Sequence, residues 1–536
     1  MIVVSREQAR RLDQLTIERY GVSGYTLMTR AGTGAARMLL ESFPHVRGKR
    51  VLVLAGKGNN GGDGFIVAHL LRKQRVKVEV LLLGRCDDVR GDAVRALNAY
   101  RRGRGSLTEV DPRDAVKVVR TRLAEAALVV DAIFGTGLNA PLTGPLRELV
   151  ELVNSSGIPV FAVDIPSGLD ADSGAPLGAA IQAEATATFG FPKLGQMLLP
   201  GASYVGRLGI IDIGLAPEAV AEVAPGSRLL NAATVAPLVP RRSVEAHKGT
   251  AGHVLLLAGS AGHTGAARLA AHACCRSGAG LTTLAGPASL HSIFAAGNPE
   301  VMTARLPDVD GFVRFEQRQV LELIERKDAI VIGPGLGTHS AARRLVRFVV
   351  ERSTASIVLD ADALSCIAAD PAILRKAKQP PILTPHPGEM ARLLGVDVPA
   401  VQEARVETAR RFATLHRCVL ILKGARTVVA EPDGRFWINL SGNPGMASGG
   451  MGDALSGMIG ALAGQGLAAG EAACLAVFLH GEIGDFLASE RGPLGLLATD
   501  IIEGIPAGIQ RLLKSMLDES AESERLERAS GKSRRN

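Results

Sequence analysis

Cysteine and aromatic residues are scarce in this sequence of 536 residues. The six cysteines show neither a CxxC pair nor the spacing of a zinc site, so a disulfide framework is not expected in a chain of this length. Aromatic residues make up 4% of the chain, which does not favour a nucleic-acid surface built on base stacking. We therefore expect buried thiols in a reducing compartment and no nucleic-acid partner.

The sequence also lacks segments that direct a chain into or through a membrane. Residues 1–4 lead directly into a polar segment, without the apolar stretch of a signal peptide. The longest run without charged residues, 454–470, is rich in glycine and interrupted by Gln465. It falls short of the ~20 apolar residues of a membrane span, so a buried helix is predicted there. We expect a cytoplasmic protein without a membrane partner.

No strong excess of charge of one sign is present. The formal net charge is +8, and the body of the chain has no block of five or more basic residues. This pattern favours basic residues spread over a solvated surface, although the same field would help a substrate that carries phosphates. The hydrophobic content of 47% is typical of a globular protein, and the length predicts two or three domains.

Short apolar runs that end in glycine-rich segments alternate with helical patterns in both halves of the chain. This order predicts an α/β domain with a parallel, doubly wound sheet in each half. A proline-rich stretch between the halves indicates a boundary. The predicted organisation is a first domain over 1–220, a linker over 221–245, a second domain over 246–515 and a charged, disordered tail over 516–536.

The first group of chemistry-bearing residues follows the strand predicted at 50–55. Four glycines between positions 58 and 64 let the backbone approach a ligand closely, and the helix predicted from Phe65 offers N–H groups to an anion. The loop is neither a Walker A loop nor a GxGxxG motif of the usual form. Because Asn59, Asn60 and Asp63 are costly to bury without partners, the loop is predicted to bind a ligand rather than only to turn the chain.

Two further polar segments, 131–137 and 164–170, follow predicted strands. The carboxyl ends of parallel strands meet at the switch-point crevice, so we expect Asn60, Asp131 and Ser167 to converge there. Oxygen-bearing side chains suit a hard cation or a sugar phosphate. Each of these residues alone is equally typical of a capped turn, but the three together favour a site.

The motifs GNNGGDG, VDAIFGTG, DIPSGLD and TFGFPK resemble those of the NAD(P)H-hydrate epimerase domain, over residues 1–215. Members of that family interconvert the R and S forms of the hydrated cofactor at C6 and carry a monovalent cation, usually K⁺. The resemblance implies that Asn60, Asp131 and Ser167 bind the cation. Asp164 is the candidate acid/base, with Lys193 as an alternative or as a phosphate contact. The implied substrate contacts are Asn59, Asn60, Gly61, Gly62, Asp63, Gly135, Thr136, Gly137, Leu138, Asn139, Ala140, Pro141 and Asp164.

The second group of chemistry-bearing residues is concentrated in the segment 443–453. Its glycines precede an apolar helix, so the N–H groups form an anion pocket. A carboxylate at Asp453 can take a hydroxyl proton as that oxygen attacks a phosphate, although an Asp is also a good helix cap. The segment 423–427 ends a strand with a cation and a hydroxyl, which suits nucleotide phosphates, and His386 stands between two prolines.

The run NPGMASGGMGD and the segments around Lys248, Ala266, Gly337, His386 and Lys423 resemble the ADP-dependent NAD(P)H-hydrate dehydratase, over residues 230–515. The resemblance implies hydrate contacts at Ala266, Gly337, His386 and Asp453, with Gly335 as the alternative to Gly337. It implies nucleotide contacts at Lys423, Gly424, Ala425, Arg426, Thr427 and Gly452. Magnesium is expected to bridge the nucleotide phosphates.

Together the two resemblances imply an α/β protein of two domains, an N-terminal Rossmann-like three-layer sandwich and a C-terminal ribokinase-like domain. The implied enzyme epimerises NADHX and NADPHX and then dehydrates the S form with ADP, giving NAD(P)H, AMP and phosphate. We also expect a homo-oligomer. The alternative is a vitamin-precursor kinase of the same fold that releases a stable phosphoester, beside a first domain that binds nucleotide without catalysis.

Overall fold

The computed structural model describes residues 1–223 and 226–532, with side chains of the last helix described up to residue 515. The chain forms two compact units, one of residues 2–227 and one that begins at Arg228 and includes Met1. The domain limits predicted above stay a prediction. The predicted tail, 516–536, lies outside the residues whose side chains are described, and its disorder also stays a prediction.

The N-terminal unit contains a seven-stranded sheet in which every strand pairs with its neighbours in parallel. The strand order is β3-β2-β1-β4-β5-β6-β7. The strands are Arg50–Ala55 (β1), Lys77–Leu83 (β2), Ser106–Val110 (β3), Leu128–Ala132 (β4), Val160–Val163 (β5), Ala185–Phe189 (β6) and Arg207–Ile211 (β7).

Helices cover both faces of this sheet because its strands are apolar on both sides. Val51 and Val53 of β1 belong to one buried cluster, and the alternate residues Leu52 and Leu54 belong to another on the opposite face. This arrangement confirms the predicted three-layer sandwich. The helices are Arg6–Glu18 (α1), Gly24–Ser42 (α2), Asn59–Lys73 (α3), Asp92–Arg102 (α4), Ala115–Leu123 (α5), Gly144–Ser155 (α6), Leu194–Met197 (α7) and Pro217–Val223 (α8).

The strand order reverses between β1 and β4, which pair directly. The segments that follow these two strands therefore flank the crevice at their carboxyl ends, as the sequence predicts.

The prediction for the start of α3 was wrong. The helix begins at Asn59, not at Phe65, so the glycines of the predicted loop belong to its first turns. Glycine costs roughly 1 kcal/mol more than alanine inside a helix, but here close packing requires it. A Cβ at Gly61 would lie 1.8 Å from the carbonyl oxygen of Gly56, and one at Gly64 would lie 2.5 Å from the Cβ of Ala132.

The C-terminal unit contains a ten-stranded sheet of order β11-β10-β9-β14-β15-β16-β17-β18-β19-β8. The strands from β11 to β17 pair in parallel, and β18 and β19 pair antiparallel. Two short strands, β12 and β13, form a separate antiparallel pair. The strands are Ser227–Leu229 (β8), His253–Leu257 (β9), Leu281–Pro287 (β10), Val301–Leu306 (β11), Asp308–Val309 (β12), Phe312–Val313 (β13), Ala329–Ile332 (β14), Ser356–Leu359 (β15), Ile382–Leu383 (β16), Val419–Leu422 (β17), Val428–Ala430 (β18) and Phe436–Ile438 (β19).

Four long helices of this unit, α10, α18, α19 and α20, share one buried apolar cluster with the sheet. The helices are Ala232–Val235 (α9), Thr264–Arg276 (α10), His291–Ala295 (α11), Gln317–Ile324 (α12), Ser340–Arg352 (α13), Asp362–Ile367 (α14), Pro387–Leu394 (α15), Val398–Glu403 (α16), Arg405–His416 (α17), Met451–Gly464 (α18), Ala469–Arg491 (α19) and Ala498–Lys532 (α20). Within the described residues, α19 alone is long and apolar enough to cross a membrane, and 61% of its most apolar window is buried inside the protein. This is the pattern of a core helix.

Candidate active sites

A cavity of about 690 Å³ opens at the switch point of the N-terminal unit. Most predicted substrate contacts line it: Asn59, Asn60, Asp63, Gly135, Thr136, Gly137, Leu138, Asn139 and Asp164. Gly61, Gly62, Ala140 and Pro141 do not line it. Gly61 instead permits the close approach of α3 to Gly56. The sequence therefore located the crevice, and all of the implied substrate contacts stay predictions.

Asp131 and Ser167, two of the three predicted cation ligands, are in direct contact. The Ser167 hydroxyl lies 2.6 Å from Oδ1 of Asp131, and the Ser167 backbone N–H donates to Oδ2 at 2.7 Å. The Ser167 oxygen also accepts from the backbone N–H of Phe134 at 2.9 Å. Burial raises the pKa of Asp131 to about 6, against the lowering effect of its hydrogen bonds.

Asn60, the third predicted ligand, lies beside the segment that follows β4. A Cβ at Gly135 would lie 3.3 Å from the Asn60 amide oxygen. Both polar atoms of the Asn60 side chain are buried and have no hydrogen-bond partner among the described residues. Leaving such an amide unpaired costs about 1–3 kcal/mol. An unpaired amide oxygen, a carboxylate and a hydroxyl are all ligand types that suit a hard cation.

Asp164 is held in an unusual backbone conformation by a buried lysine and a buried glutamine. Its φ is +64°, a region that residues with a side chain seldom adopt and that is concentrated at functional sites. The Lys193 ammonium lies 2.5 Å from Oδ1 of Asp164 and also donates to the hydroxyl of Thr188 at 2.9 Å. The amide of Gln196 donates to the Asp164 carbonyl at 2.7 Å. Asp164 is thus fixed at the wall of the cavity.

Two more carboxyl groups line the same cavity. Burial raises the pKa of Asp63 well above its ordinary value, with further contributions from the negative charges of Asp164 and Asp13. Asp13, on α1, is open to the cavity, but the surrounding protein displaces enough water to raise its pKa to about 6, and Asp164 adds to the effect. The cavity therefore combines an ion pair with two carboxyl groups that hold protons more readily than usual.

In the C-terminal unit, a lysine lies between two carboxylates at the carboxyl ends of β15, β16 and β17. Lys423 follows β17, and its ammonium lies 3.1 Å from Oδ1 of Asp360 and 3.8 Å from Oε2 of Glu389. The hydroxyl of Thr384 donates to Oδ1 of Asp360 at 2.6 Å. Burial lowers the pKa of Lys423, but the charges of Asp360 and Glu389 outweigh it, so that its net pKa is raised.

Asp453 lies in the first turn of α18, beside this cluster. A Cβ at the preceding residue, Gly452, would lie 3.3 Å from the ammonium of Lys423. The pKa of Asp453 is raised to about 7 by burial and then by the charge of Asp360, while Lys423 opposes the shift. The N-terminus of a long helix, a lysine and a carboxylate that titrates near neutrality thus lie together. The predicted roles of Asp453 and Lys423 stay predictions.

His386 caps α15 through its side chain. Its Nδ1 accepts from the backbone N–H groups of Gly388 and Glu389 at 3.0 and 3.3 Å, while Glu389 accepts from the His386 N–H at 2.7 Å. Burial and the charges of Lys423 and Arg392 lower the pKa of His386. The ring is therefore neutral, with Nε2 left as a donor. Its predicted contact with a substrate stays a prediction.

Gly335 and Gly337 are the two candidates for one predicted hydrate contact, and their surroundings differ. The carbonyl of Gly335 accepts from Ser260 at 2.8 Å, and a Cβ at Gly335 would lie 3.3 Å from the Cβ of Ala266. The N–H of Gly337 donates to Asp362 at 2.8 Å. Gly335 therefore lies directly beside another predicted contact, Ala266, whereas Gly337 is tied to the segment after β15.

The predicted nucleotide contacts 423–427 form a turn between β17 and β18. The hydroxyl of Thr427 donates to the Gly424 carbonyl at 2.9 Å. Arg405, of which 7% is exposed, donates to the carbonyls of Leu422 and Lys423 at 3.0 and 3.1 Å. Burial lowers the pKa of Arg405 to about 10. Arg405 is thus the side chain that holds the start of this turn.

Sequence reasoning missed several residues at both sites: Asp13, Gln196, Asp360, Asp362 and Arg405. Asp360 and Asp362 could have been found with the same argument that located Asp131, since they follow a buried strand. Arg405 lies on a helix far from the motifs in sequence and carries no such signal.

The chemistry of the C-terminal cluster fits a magnesium ion. Asp360 and Glu389 offer carboxylate oxygens close to the predicted nucleotide contact Lys423. Magnesium commonly takes one or two carboxylates and completes its shell with nucleotide phosphates and water. Within the described residues, no group of three or more His, Cys, Asp or Glu side chains could hold a metal alone.

Comparison with known proteins assigns a family to each unit. Residues 24–195 match the family described as YjeF-related protein N-terminus, and residues 254–507 match NAD(P)H-hydrate dehydratase. The chain is 42% identical to the bifunctional NAD(P)H-hydrate repair enzyme Nnr of Moorella thermoacetica, covering 96% of this chain and 97% of that protein. It is 36% identical to the Escherichia coli protein of the same name, covering 92% and 91%. A crystal structure of ADP/ATP-dependent NAD(P)H-hydrate dehydratase from Bacillus subtilis, co-crystallized with ATP/Mg²⁺, is 34% identical with a TM-score of 0.47 and covers 53% of this chain and 98% of that one. The chain belongs to the family of bifunctional NAD(P)H-hydrate repair enzymes.

Proposed function

We propose that this protein converts hydrated NADH and NADPH back to the reduced cofactors in two steps. The N-terminal unit interconverts the R and S hydrates, and the C-terminal unit dehydrates the S form at the expense of ADP. The observation that carries the proposal is the position of Asp453, at the glycine-rich start of α18 and beside Lys423. We also propose a cytoplasmic enzyme that acts on small molecules and self-associates.

The dehydration requires a better leaving group than hydroxide. Asp453 takes the proton of the C6 hydroxyl, and the oxygen attacks the terminal phosphate of ADP, releasing AMP. Backbone N–H groups at residues 450–452 stabilise the negative charge of the phosphate in transfer, and Lys423 adds a positive charge. The phosphate then leaves with the electron pair of the C–O bond, and loss of a ring proton gives the dihydropyridine.

The epimerisation requires a proton to move at the hydrated ring. Asp164 lines the cavity and is paired with Lys193, which holds the carboxylate in place. We assign the proton transfer to Asp164. The two activities belong together on one chain because the second unit uses only one of the two epimers.

Two metal ions complete the proposal. Asn60, Asp131 and Ser167 would hold K⁺, which balances the buried negative charge and fixes the segment after β4. Asp360 and Glu389 would hold Mg²⁺, which neutralises the nucleotide phosphates when bound. The remaining catalytic work falls on the side chains described above.

A second candidate is a kinase of a small alcohol, such as a vitamin precursor, because the same helix start and carboxylate serve that chemistry. The two candidates differ in product. A kinase releases a stable phosphoester, whereas the dehydratase releases inorganic phosphate and a reduced nicotinamide.

The test is to incubate the full-length protein with a mixture of R and S hydrates, ADP and Mg²⁺, and to follow the absorbance of the reduced nicotinamide. Recovery of all the substrate is expected. Recovery of only the S fraction would remove the epimerase from the proposal, and a phosphorylated product without reduced nicotinamide would replace the dehydratase by a kinase.

Two variants assign the half-reactions to the two units. Asp453→Asn should lose the dehydration and keep the epimerisation, and Asp164→Asn should do the reverse. Substitution of the exposed Glu322→Gln on α12, which only pairs with Arg318, serves as the control and should change neither. Full activity in either active-site variant would remove that residue from the mechanism.

A further inference from the structure

Helix α1 forms one wall of the epimerase cavity, although the motifs that identify the site lie elsewhere. Ala9, Arg10, Leu12, Asp13 and Ile17 of this helix line the cavity. Leu12 is 1% exposed and belongs to a separate buried cluster that anchors the helix to the rest of the unit. A polar residue on this wall therefore has a fixed position with respect to the cavity.

The start of α1 is tied to the segment that carries Lys193. The N–H of Val4 donates to the carbonyl of Pro192, and the N–H of Leu194 donates to the carbonyl of Val4, both at 3.0 Å. Arg6 forms an ion pair with Asp170. These contacts join the start of α1 to the segments that carry Asp170 and Lys193, so the wall that carries Asp13 is anchored beside the ion pair of Asp164 and Lys193.

The Asp13 side chain is exposed and lines the cavity. Among the residues that the structure describes, none forms a hydrogen bond or an ion pair with it. Its electrostatic neighbours are the ion pair Asp164 and Lys193, while Asp63 in turn is affected by its charge. The Asp13 carboxyl group is affected by the charges of Asp164 and Lys193 and is not engaged by another described side chain. It is therefore free to exchange a proton with a ligand.

From this arrangement we propose that Asp13 is a second acid/base group of the epimerase site and acts on the hydrated ring together with Asp164. The inference rests on the epimerase activity proposed above and adds a residue to it.

The chemistry of the substrate explains why two such groups are useful. C6 of the hydrate bears a hydroxyl and is bonded to the ring nitrogen, so it is a hemiaminal carbon. One carboxylate takes the hydroxyl proton, the C6–N1 bond breaks as the C6=O double bond forms, and the second carboxyl group gives its proton to N1. Rotation about C5–C6 followed by the reverse steps closes the ring with the hydroxyl on the other face. No oxidant, reductant or added water is consumed.

The other charged groups of the cavity are consistent with a mechanism in which one carboxylate takes a proton and a second carboxyl group gives one. The charged residues that line it besides Asp13 are Arg10, Lys57, Asp63, Asp92, Asp164 and Lys193. Burial raises the pKa of Asp63 well above its ordinary value, and the negative charges of Asp164 and Asp13 add to this effect. Asp13 titrates at about 6, and both of its protonation states are therefore present near neutral pH, as a group that gives and takes a proton requires.

The test uses the full-length protein and pure S hydrate without ADP, so that dehydration is off and the appearance of the R form, separated by chromatography, reports epimerisation alone. Asp13→Asn should lower kcat by about 10²–10⁴-fold with little change in KM, and should leave the ADP-dependent dehydration of S hydrate unchanged. Glu18→Gln, an exposed carboxylate on the same helix that bonds only to Gln14, is the matched control and should be fully active. The limb of the wild-type pH profile with a midpoint near pH 6 should be absent from the residual activity of Asp13→Asn.

The outcomes separate this inference from the proposed function. Epimerisation by Asp13→Asn within threefold of wild type overturns the inference. Absence of epimerisation in the wild type, with dehydration intact, removes the proposed epimerase itself. If Asp13→Asn loses both activities, Asp13→Glu decides: recovery of a tenth or more of the wild-type epimerisation supports a carboxyl role, and no recovery in a folded protein contradicts it.

Discussion

The hydroxyl of Ser167 lies 2.6 Å from Oδ1 of Asp131, in a part of the N-terminal unit that excludes water. The bond links the segment after β5 to the end of β4. It does not supply a counter-charge, and the amide of Asn60 at the start of α3 has no partner among the described residues. The negative charge of Asp131 is therefore the feature that a bound cation would stabilise.

The first prediction concerns K⁺ and pH. The unfolded chain releases the Asp131 proton near 3.8 and the folded chain at about 6, so the folded state binds more protons between these values and its stability falls as the pH rises through this window. The difference amounts to ~3 kcal/mol at pH 7. Bound K⁺ should restore part of the lost stability. The Tm of the N-terminal unit should therefore be higher in KCl than in choline chloride at pH 8, and this difference should be much smaller at pH 4. In Asp131→Asn the increase of Tm in KCl should vanish. If the increase persists, the cation binds elsewhere.

The second prediction concerns the pH dependence of dehydration. Burial and the charges of Asp360 and Asp362 raise the pKa of Asp453 to about 7. A general base must be ionised, so kcat/KM for the S hydrate should rise between pH 6 and 8 with a midpoint near 7. Asp362→Asn removes one of the charges that raise this pKa and should move the midpoint to lower pH. A midpoint that moves to higher pH in this variant would contradict the assignment of this rise in kcat/KM to Asp453.

The third prediction concerns the ion pair of Lys193 and Asp164. Both side chains are largely buried, and removal of one partner from a buried pair leaves an uncompensated charge that costs about 3–5 kcal/mol. Lys193→Met should therefore lower the free energy of unfolding of the N-terminal unit by roughly that amount in urea denaturation. The double variant Lys193→Met/Asp164→Asn should be more stable than Lys193→Met alone. If the losses of unfolding free energy in the two single variants simply add in the double variant, the ion pair contributes nothing to folding.

The fourth prediction concerns Arg405 as a positioning residue of the nucleotide turn. Arg405→Met removes its hydrogen bonds to the carbonyls of Leu422 and Lys423, each worth about 1–3 kcal/mol when a buried group is left unpaired. The KM for ADP should rise by tenfold or more while the KM for the hydrate stays within threefold. Arg411→Gln, on the exposed face of the same helix, is the control. An equal rise of both KM values would indicate a general loss of structure.

The sequence predicted two α/β domains with parallel, doubly wound sheets and the crevice that holds the first site, because strand ends and glycine-rich segments are local patterns. Both predicted fold classes are confirmed. The start of α3 was misplaced because glycine disfavours helices locally, whereas here a helix packs against Gly56 so closely that only glycine fits. The positions of Asp13 and Arg405 beside these sites could not be predicted, since each lies on a helix that packs beside a motif from a distant part of the chain.

The last prediction tests that close packing with a matched pair of glycines. A Cβ at Gly61 would lie 1.8 Å from the Gly56 carbonyl oxygen, whereas one at Gly58 would meet nothing within 4 Å. Gly61→Ala must shift α3 away from β1, which should cost more than about 3 kcal/mol of stability and disturb Asn60 and Asp63. Gly58→Ala should stay within about 0.5 kcal/mol of wild type, because its φ of −93° is open to any residue. Thermal unfolding of both variants and their epimerisation rates give the comparison. Equal behaviour would mean that α3 has room to move, and the glycines would then have to be explained by contact with the substrate instead.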